Sequence, residues 1–278
     1  MRERSNLTQS AVARHEILEQ RGVRIDVSGL SRLESGRRRR VPQDLVLALL
    51  DCYEADPTEH DEVLALLQAD TTPTGRPRPA LWRRNAHLLG PMQLEGFLAM
   101  EARAAHLANF EPHVWPGLLQ TPEYARLVIT ELLPDLRPSE VRTLVDVRLA
   151  RQHEIRKGAV KSFHALIEES VLRRTAGDRT LTRRQLERAL ADSEQDRFEL
   201  RILPEGLGLH QGASGPFVIM TFPEAGREVV WVETLVSSVY LETEGDVQRY
   251  SRAFTSLWDR ALTREESRAL LTRTIKEL

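Results

Sequence analysis

The stretch from Ser28 to Arg40, S-G-L-S-R-L-E-S-G-R-R-R-R, constrains this chain more than any other. Asp26 stands where an N-cap belongs, because its carboxylate can accept from the free N–H groups of a first helical turn. Leu30 and Leu33 lie three apart, which fastens one face of a short helix to a small core. Val27, Ser28, Ser31 and Arg32 are left pointing elsewhere. Gly36 suits the left-handed position that ends a helix. Arg37, Arg38, Arg39 and Arg40 follow it as a concentrated positive patch. Upstream, Leu7 to Ala13 reads as another short helix, with Thr8 as its cap and Val12 facing inward.

Two short helices, the second running into glycine and a basic cluster, form the pattern of a helix-turn-helix. L-T-Q-S-A-V-A followed by L-S-R-L-E-S-G-R-R resembles the Cro/C1-type (XRE) DNA-binding domain. The competing reading is a solvated helix pair with a charged loop; cap, spacing and arginine run agree against it. Two departures from the family stand out. Between Gln9 and L-S-R-L-E the chain is several residues longer than the commonest form. The extra length, His15 to Ile25, lets the second helix run on to Gln20, with Gly22 ending it. The family also begins with a full first helix, and only Met1 to Ser5 stand before Asn6. The expectation is therefore either a translation start placed late or a shortened first helix. The resemblance implies that Arg2 pairs with Glu34, making Glu34 a structural ion-pair partner rather than a base reader.

A chain of 278 residues suits about two domains. The 41% of hydrophobic residues permits real cores, and a net charge of −2 argues against indiscriminate nucleic-acid binding. The local picture differs: residues 1–40 hold ten arginines against five acids, whereas Asp44 to Asp70 hold eight acids and no Lys or Arg. Such asymmetry confines the positive field to one face, as a DNA reader requires. The single cysteine, Cys52, excludes an intrachain disulfide and a cysteine-based metal site. No apolar run approaches the ~20 residues of a membrane span, and the N-terminus lacks a signal-peptide pattern. A cytoplasmic protein is expected.

After the arginines, Pro42 pre-sets a first helical turn, and Leu45, Val46, Leu49 and Leu50 recur at helical spacing. Pro57 to Ala69 gives a further helix. The helix-turn-helix domain is thus placed at 1–70, and the proline- and threonine-rich 71–79 reads as a semi-rigid linker. Residues 80–278 are organised differently. Helices are expected at 91–101, at 122–132 behind the cap Thr121, at 139–157 behind Ser139, at 181–190, at 246–261, and from Thr263, which has Glu266 three residues on. Strands are expected at 163–167, 198–203, 216–222 and 229–233, rich in Val, Ile, Phe and Trp. The fold class that follows is mainly α with an α+β second domain: an all-α helix-turn-helix domain, then helices packed on a small antiparallel sheet.

The second domain carries its own resemblance. V-W-P-G-L-L-Q-T-P-E-Y, R-L-A-R-Q, the G-L-H…S-G-P-F turn, V-W-V-E and A-L-T-R-E-E-S occur in order. Together they are similar to the C-terminal domain of actinobacterial antitoxin-like regulators of the Scr/WhiJ type, an XRE domain fused to a domain of unknown function. The resemblance implies DNA binding and a small partner protein encoded nearby. It implies no chemistry for the second domain.

Recognition chemistry follows from the cap at Asp26. Val27, Ser28, Ser31 and Arg32 occupy the side of the helix from which base edges are reached in the major groove. Val27 suits a thymine methyl, Ser28 several bases, and Arg32 a forked contact to guanine or a phosphate. Gly29 inside that helix costs roughly 1 kcal/mol against alanine, and close backbone approach to DNA would explain it. Arg37 to Arg40 suit phosphates, which give affinity and salt dependence without sequence information. Thr8 and Gln9 begin the positioning helix, where the family contacts the DNA backbone.

Enzyme chemistry finds no support. Glu168 and Glu169 are adjacent and on a strand would face opposite sides. The eight histidines show no H-x-x-x-H, the glycine-rich loop Gly206 to Gly215 lacks the G-x-x-x-x-G-K of a phosphate cradle, and no catalytic triad can be argued. No metal and no cofactor are expected. Arg148 and Arg151, on one helix face, are candidates for gripping an anionic ligand or acidic partner, with a plain salt bridge as the simpler reading. His210 is a candidate pocket residue, with a surface turn as the simpler one. Trp115, Trp231, Tyr240 and Trp258 read as core rather than as a ligand cage.

The reading that results is a two-domain regulator, with a DNA-binding module at 1–70 and a regulatory or partner-binding domain at 80–278. Its partners are double-stranded DNA, a second copy of itself and a small protein or ligand, with no membrane. The alternative is an antitoxin-type interaction module that keeps its helix-turn-helix only as a scaffold.

Overall fold

The computed structural model describes residues 2, 4–5, 7–34, 41–60, 63, 86–89, 94–174, 178–223, 226–234 and 237–278. The expectations for Gly36, for Arg37 to Arg40, for most of the helix at 57–69 and for the linker at 71–79 fall outside these residues. The chain divides into two compact units, Met1–Gly75 and Arg76–Leu278.

In the first unit, helices α1 (Gln9–Ala13), α2 (Glu16–Gln20), α3 (Val27–Glu34) and α4 (Gln43–Cys52) follow one another. Thr8 Oγ1 accepts from the Ala11 amide at 3.1 Å and starts α1. The continuous helix expected to reach Gln20 is not formed. The chain breaks at Arg14, and His15 stands extended as a new cap, its Nδ1 accepting from the Ile17 amide at 3.4 Å. Packing explains the break. On an unbroken helix Val12 and Leu18 would lie about 120° apart around the axis, whereas the break turns both into one core with Ile25, Leu30, Leu45, Ala48, Leu49 and Cys52. Gly22, at φ +66°, then closes α2, with the Val23 amide donating back to the Leu18 carbonyl at 2.8 Å. Burial pushes the Cys52 thiol pKa up, so this cysteine behaves as a small apolar side chain.

The second unit begins with α5 (Ala86–Leu89) and α6 (Leu94–Glu101). Strand β1 (His106–Glu111) follows, then α7 (Pro122–Leu132), α8 (Pro138–Glu154), β2 (Ser162–Glu168), α9 (Arg179–Asp192) and β3 (Phe198–Leu203). The chain closes with β4 (Phe217–Thr221), β5 (Glu228–Glu233), β6 (Ser238–Leu241), α10 (Glu244–Arg260) and α11 (Arg264–Glu277). The strands form one six-stranded sheet in the order β3-β2-β1-β4-β5-β6. An α+β unit is confirmed, but the sheet is mixed rather than antiparallel. β1 pairs parallel with β2, and β2 with β3; the pairs β1–β4, β4–β5 and β5–β6 are antiparallel. The helices α7, α8 and α9 cause this, because each crossover they form is long enough to carry the chain back to its starting end.

Alternation along the strands builds two cores. Leu107, Phe163, Ala165, Ile167, Leu200, Met220 and Trp231 face the larger one, against apolar residues of α6, α7, α8, α9 and α11. Phe110, Leu166, Ile219 and Val230 face the other, against Val247, Phe254 and Leu257 of α10. Trp115 and Trp231 are buried core residues, and Tyr240 and Trp258 pack against the two cores.

Local signals account for the helix starts. Thr121 Oγ1 accepts from the Tyr124 amide at 3.2 Å, with Pro122 in the first turn. Thr263 and Glu266 form a reciprocal capping box, with the Thr263 amide donating to Glu266 at 2.8 Å. The expected cap at Ser139 is displaced. Pro138 already lies inside the first turn of α8, and the Arg137 amide donates to Glu140 Oε2 at 2.8 Å. Beyond Glu154 the same chain loosens into a π turn, Ile155–Ala159, that ends through Gly158 at φ +98°.

Candidate nucleic-acid interface

Helix α3 separates two faces cleanly. Asp26 Oδ1 accepts from the Gly29 amide at 2.6 Å and sets the helix start. Gly29 and Leu30 are buried, whereas Val27, Ser28, Ser31 and Arg32 are exposed along the opposite side. Val27 keeps 43% of its surface. A face that mixes an exposed valine, two hydroxyls and a guanidinium has the donors, acceptors and methyl surface that base edges require.

Gly29 has an intramolecular explanation, in place of close approach to DNA. A Cβ there would sit 2.7 Å from Asp26 Oδ1 and 3.1 Å from Ile25 Cγ1. Glycine thus leaves room for the cap that starts the helix. Gly29→Ala is accordingly expected to bring no stabilisation. The gain of roughly 1 kcal/mol in helix propensity is offset by a disturbed cap, itself worth about 1 kcal/mol, and by crowding at Ile25. A thermal melt of the full chain checks this, and a clearly raised Tm would contradict it.

A polar clamp lies at the C-terminal end of α3. Arg2 Nε donates to Glu34 Oε1 at 2.6 Å and its NH2 group to Oε2 at 3.2 Å, while NH1 donates to the Leu7 carbonyl at 2.7 Å. Gln9 Nε2 adds a bond to Glu34 Oε2 at 2.7 Å. Burial pulls the Glu34 carboxyl upward, but the hydrogen bonds from Arg2 and Gln9 outweigh it and hold its pKa below the ordinary value. The clamp ties α1, the end of α3 and the chain start together and neutralises a carboxylate that would repel phosphates. Gln9 is therefore engaged within the protein through its amide nitrogen, and Thr8 caps α1 through its hydroxyl. Arg37 to Arg40 lie outside the described residues.

The candidates of the second unit are placed differently. Arg151 forks onto Glu101, Nε to Oε2 at 2.8 Å and NH2 to Oε1 at 2.7 Å, and its guanidinium lies 5.0 Å from the Phe97 ring centre. Arg148 NH1 donates to Gln120 Oε1 at 2.6 Å. Burial, then the neighbouring charge of Arg151, lowers the Arg148 pKa to about 10. Three glutamines complete this scaffold. Gln120 Nε2 donates to the Trp115 carbonyl at 2.6 Å, Gln152 Nε2 to the Gly117 carbonyl at 2.8 Å, and Gln185 Nε2 to the Leu119 carbonyl at 2.9 Å. The W-P-G-L-L-Q and R-L-A-R-Q stretches thus meet as one buried network that fixes the loop between β1 and α7. Gln120, Gln152 and Gln185 are missed by a reading that looks for charge, although two of them stand inside those stretches.

Glu168 and Glu169 do not face opposite sides of a strand. Glu168 ends β2, Glu169 opens a 3₁₀ turn, and both line a cavity of about 220 Å³ with His210. His210 Nε2 lies 3.7 Å from Glu168 Oε1. Among the described residues no group of three His, Cys, Asp or Glu side chains can hold a metal ion. No described helix is long and apolar enough to cross a membrane.

A model of a helix-turn-helix domain matches residues 1–63, and a model of the domain of unknown function DUF5753 matches residues 94–273. No curated protein and no solved structure gives a match. With a helix-turn-helix of the kind found in DNA-binding regulators ahead of a matched region that spans most of its length, the chain belongs to the DUF5753 family.

Proposed function

We propose that this protein is a sequence-specific DNA-binding transcriptional regulator of the antitoxin-like Scr/WhiJ type. Its DNA-binding module is residues 1–70, joined by a linker at 71–79 to a regulatory domain at 80–278. The observation that carries this is α3, whose buried side holds Gly29 and Leu30 while Val27, Ser28, Ser31 and Arg32 stand exposed together. Arg32 is the residue for a forked contact to guanine, and Thr8, Gln9 and Arg37 to Arg40 position the DNA backbone. The protein acts as a dimer, because one small module offers too few contacts for a specific site. The second domain tunes DNA affinity by pairing copies of the chain or by docking a small protein or ligand.

A gel shift on the DNA upstream of its own coding sequence, at two salt concentrations, tests this. The full chain is expected to form a discrete complex that weakens with salt. Arg32→Ala is expected to reduce specific binding by about 1–3 kcal/mol, roughly 5- to 150-fold. A chain that binds neither this DNA nor a random duplex, yet captures a small protein partner unchanged by Arg32→Ala, would place it with interaction modules instead.

A further inference from the structure

The chain between α1 and α3 builds a concave groove of about 620 Å³ that the DNA reading leaves unassigned. It is formed by the end of α1, by α2 and by the segment leading into α3. Val27 lines it as well, so the groove is continuous with the exposed face of α3. Arg14 and Arg24 both line it and both are exposed. Among the described residues neither engages an acceptor, whereas Arg2 is bound to Glu34 and Arg21 to Asp51. Two acids share the groove. Asp26 is occupied as the cap of α3, and Glu19 is exposed.

We infer that this groove seats the sugar–phosphate strand that borders the base pairs read by α3, with Arg14 and Arg24 as its phosphate ligands. The inference rests on the DNA-binding reading given above. A major groove about 12 Å wide is nearly filled by one helix, so the bordering backbone must pass the element just before α3. That element is the groove wall carrying Arg24, two residues ahead of the cap. The groove is concave and has Val23 beside its cations, which suits a convex ridge of apolar deoxyribose flanked by phosphates better than a free anion. The extended turn thereby becomes a second backbone contact, and Glu19 sets an opposing charge that limits its strength.

The test is fluorescence anisotropy of the full chain on a random-sequence duplex of about 30 base pairs, titrated with salt, since the phosphate contribution is independent of sequence. Arg14→Ala with Arg24→Ala is expected to weaken binding roughly tenfold and to flatten the salt slope by about two. Glu19→Gln is expected to act in the opposite direction, tightening binding a few-fold. Both sites are exposed, and matching circular dichroism melts confirm that the fold is kept. An unchanged slope in the arginine double variant, with the parent still binding, would overturn the groove while leaving the DNA reading intact. Glu19→Gln without effect or with weaker binding would count against it equally. A parent that fails to bind any duplex overturns both readings together.

Discussion

Arg151→Ala is expected to destabilise the Arg76–Leu278 unit by about 3–5 kcal/mol, the cost of stranding one partner of a buried ion pair. Arg151 is 8% exposed and Glu101 only 4%, so among the described residues the carboxylate left behind keeps no cation bonded to it. The loss also removes a guanidinium stacked near the Phe97 ring. In a domain of this size such a deficit lowers Tm by roughly 10 °C. Arg151→Lys is expected to recover only part of it, because an ammonium cannot reproduce the forked geometry. Replacing both partners by apolar residues, Glu101→Leu with Arg151→Met, is expected to restore much of the stability, since no buried charge then lacks a partner. Denaturant unfolding of the three variants measures this. A single Arg151→Ala change of less than about 1 kcal/mol would mean that the pair is far wetter than its burial indicates.

Glu111→Gln is expected to stabilise the same unit at neutral and alkaline pH. Burial raises the Glu111 carboxyl from its ordinary 4.5 to about 8, and the charge of Glu233 pushes the same way; Asn109 and Arg148 oppose it. Between about 4.5 and 8 the folded protein holds a proton there that the unfolded chain has released. Stability from this group is therefore full below pH 4.5, falls as pH rises, and levels off above about 8. At ~1.4 kcal/mol per pKa unit the full shift would imply about 5 kcal/mol. Glu111 is only half-buried by surface area, so solvent screening brings the expected effect nearer ~2 kcal/mol. The parent and Glu111→Gln curves should converge near pH 5 and separate toward pH 8, the glutamine variant being the more stable. Parallel curves across that range would show that Glu111 stays ionised in the fold.

The sequence makes these units legible to different degrees, for physical reasons. Helices announced by local chemistry are readable, as at Thr121-Pro122 and at Thr263 with Glu266, because the cap and its amide lie within four residues. Helix α3 is readable for the same reason at Asp26. The centre of the sheet is not. β1 reads H-L-A-N-F-E, without a β-branched residue, and it is a strand because β2 and β4 supply partners on either side. β6 is four residues long, too short for its pattern to stand out. The break before α2 depends on His15 turning its ring back as a cap, a role histidine seldom takes. Arg148 and Arg151 are visible as charges, but their partners Gln120 and Glu101 lie 28 and 50 residues away. Helix periodicity cannot supply such pairings.

The position of β1 at the middle of the mixed sheet also sets when the protein can finish folding. His106 meets Ser162, 56 residues downstream, and Asn109 meets Phe217, 108 residues downstream. Long loops must close before these contacts return any free energy, which slows formation of the sheet. The described core of the first unit, in contrast, is complete at Cys52. With synthesis at about 5–20 residues per second, the first unit is ready roughly ten to thirty seconds before β4 emerges from the ribosome. Until β4 emerges β1 has only β2 as a partner strand, so nascent chains of this protein are expected to lean on chaperones after the first unit is already folded.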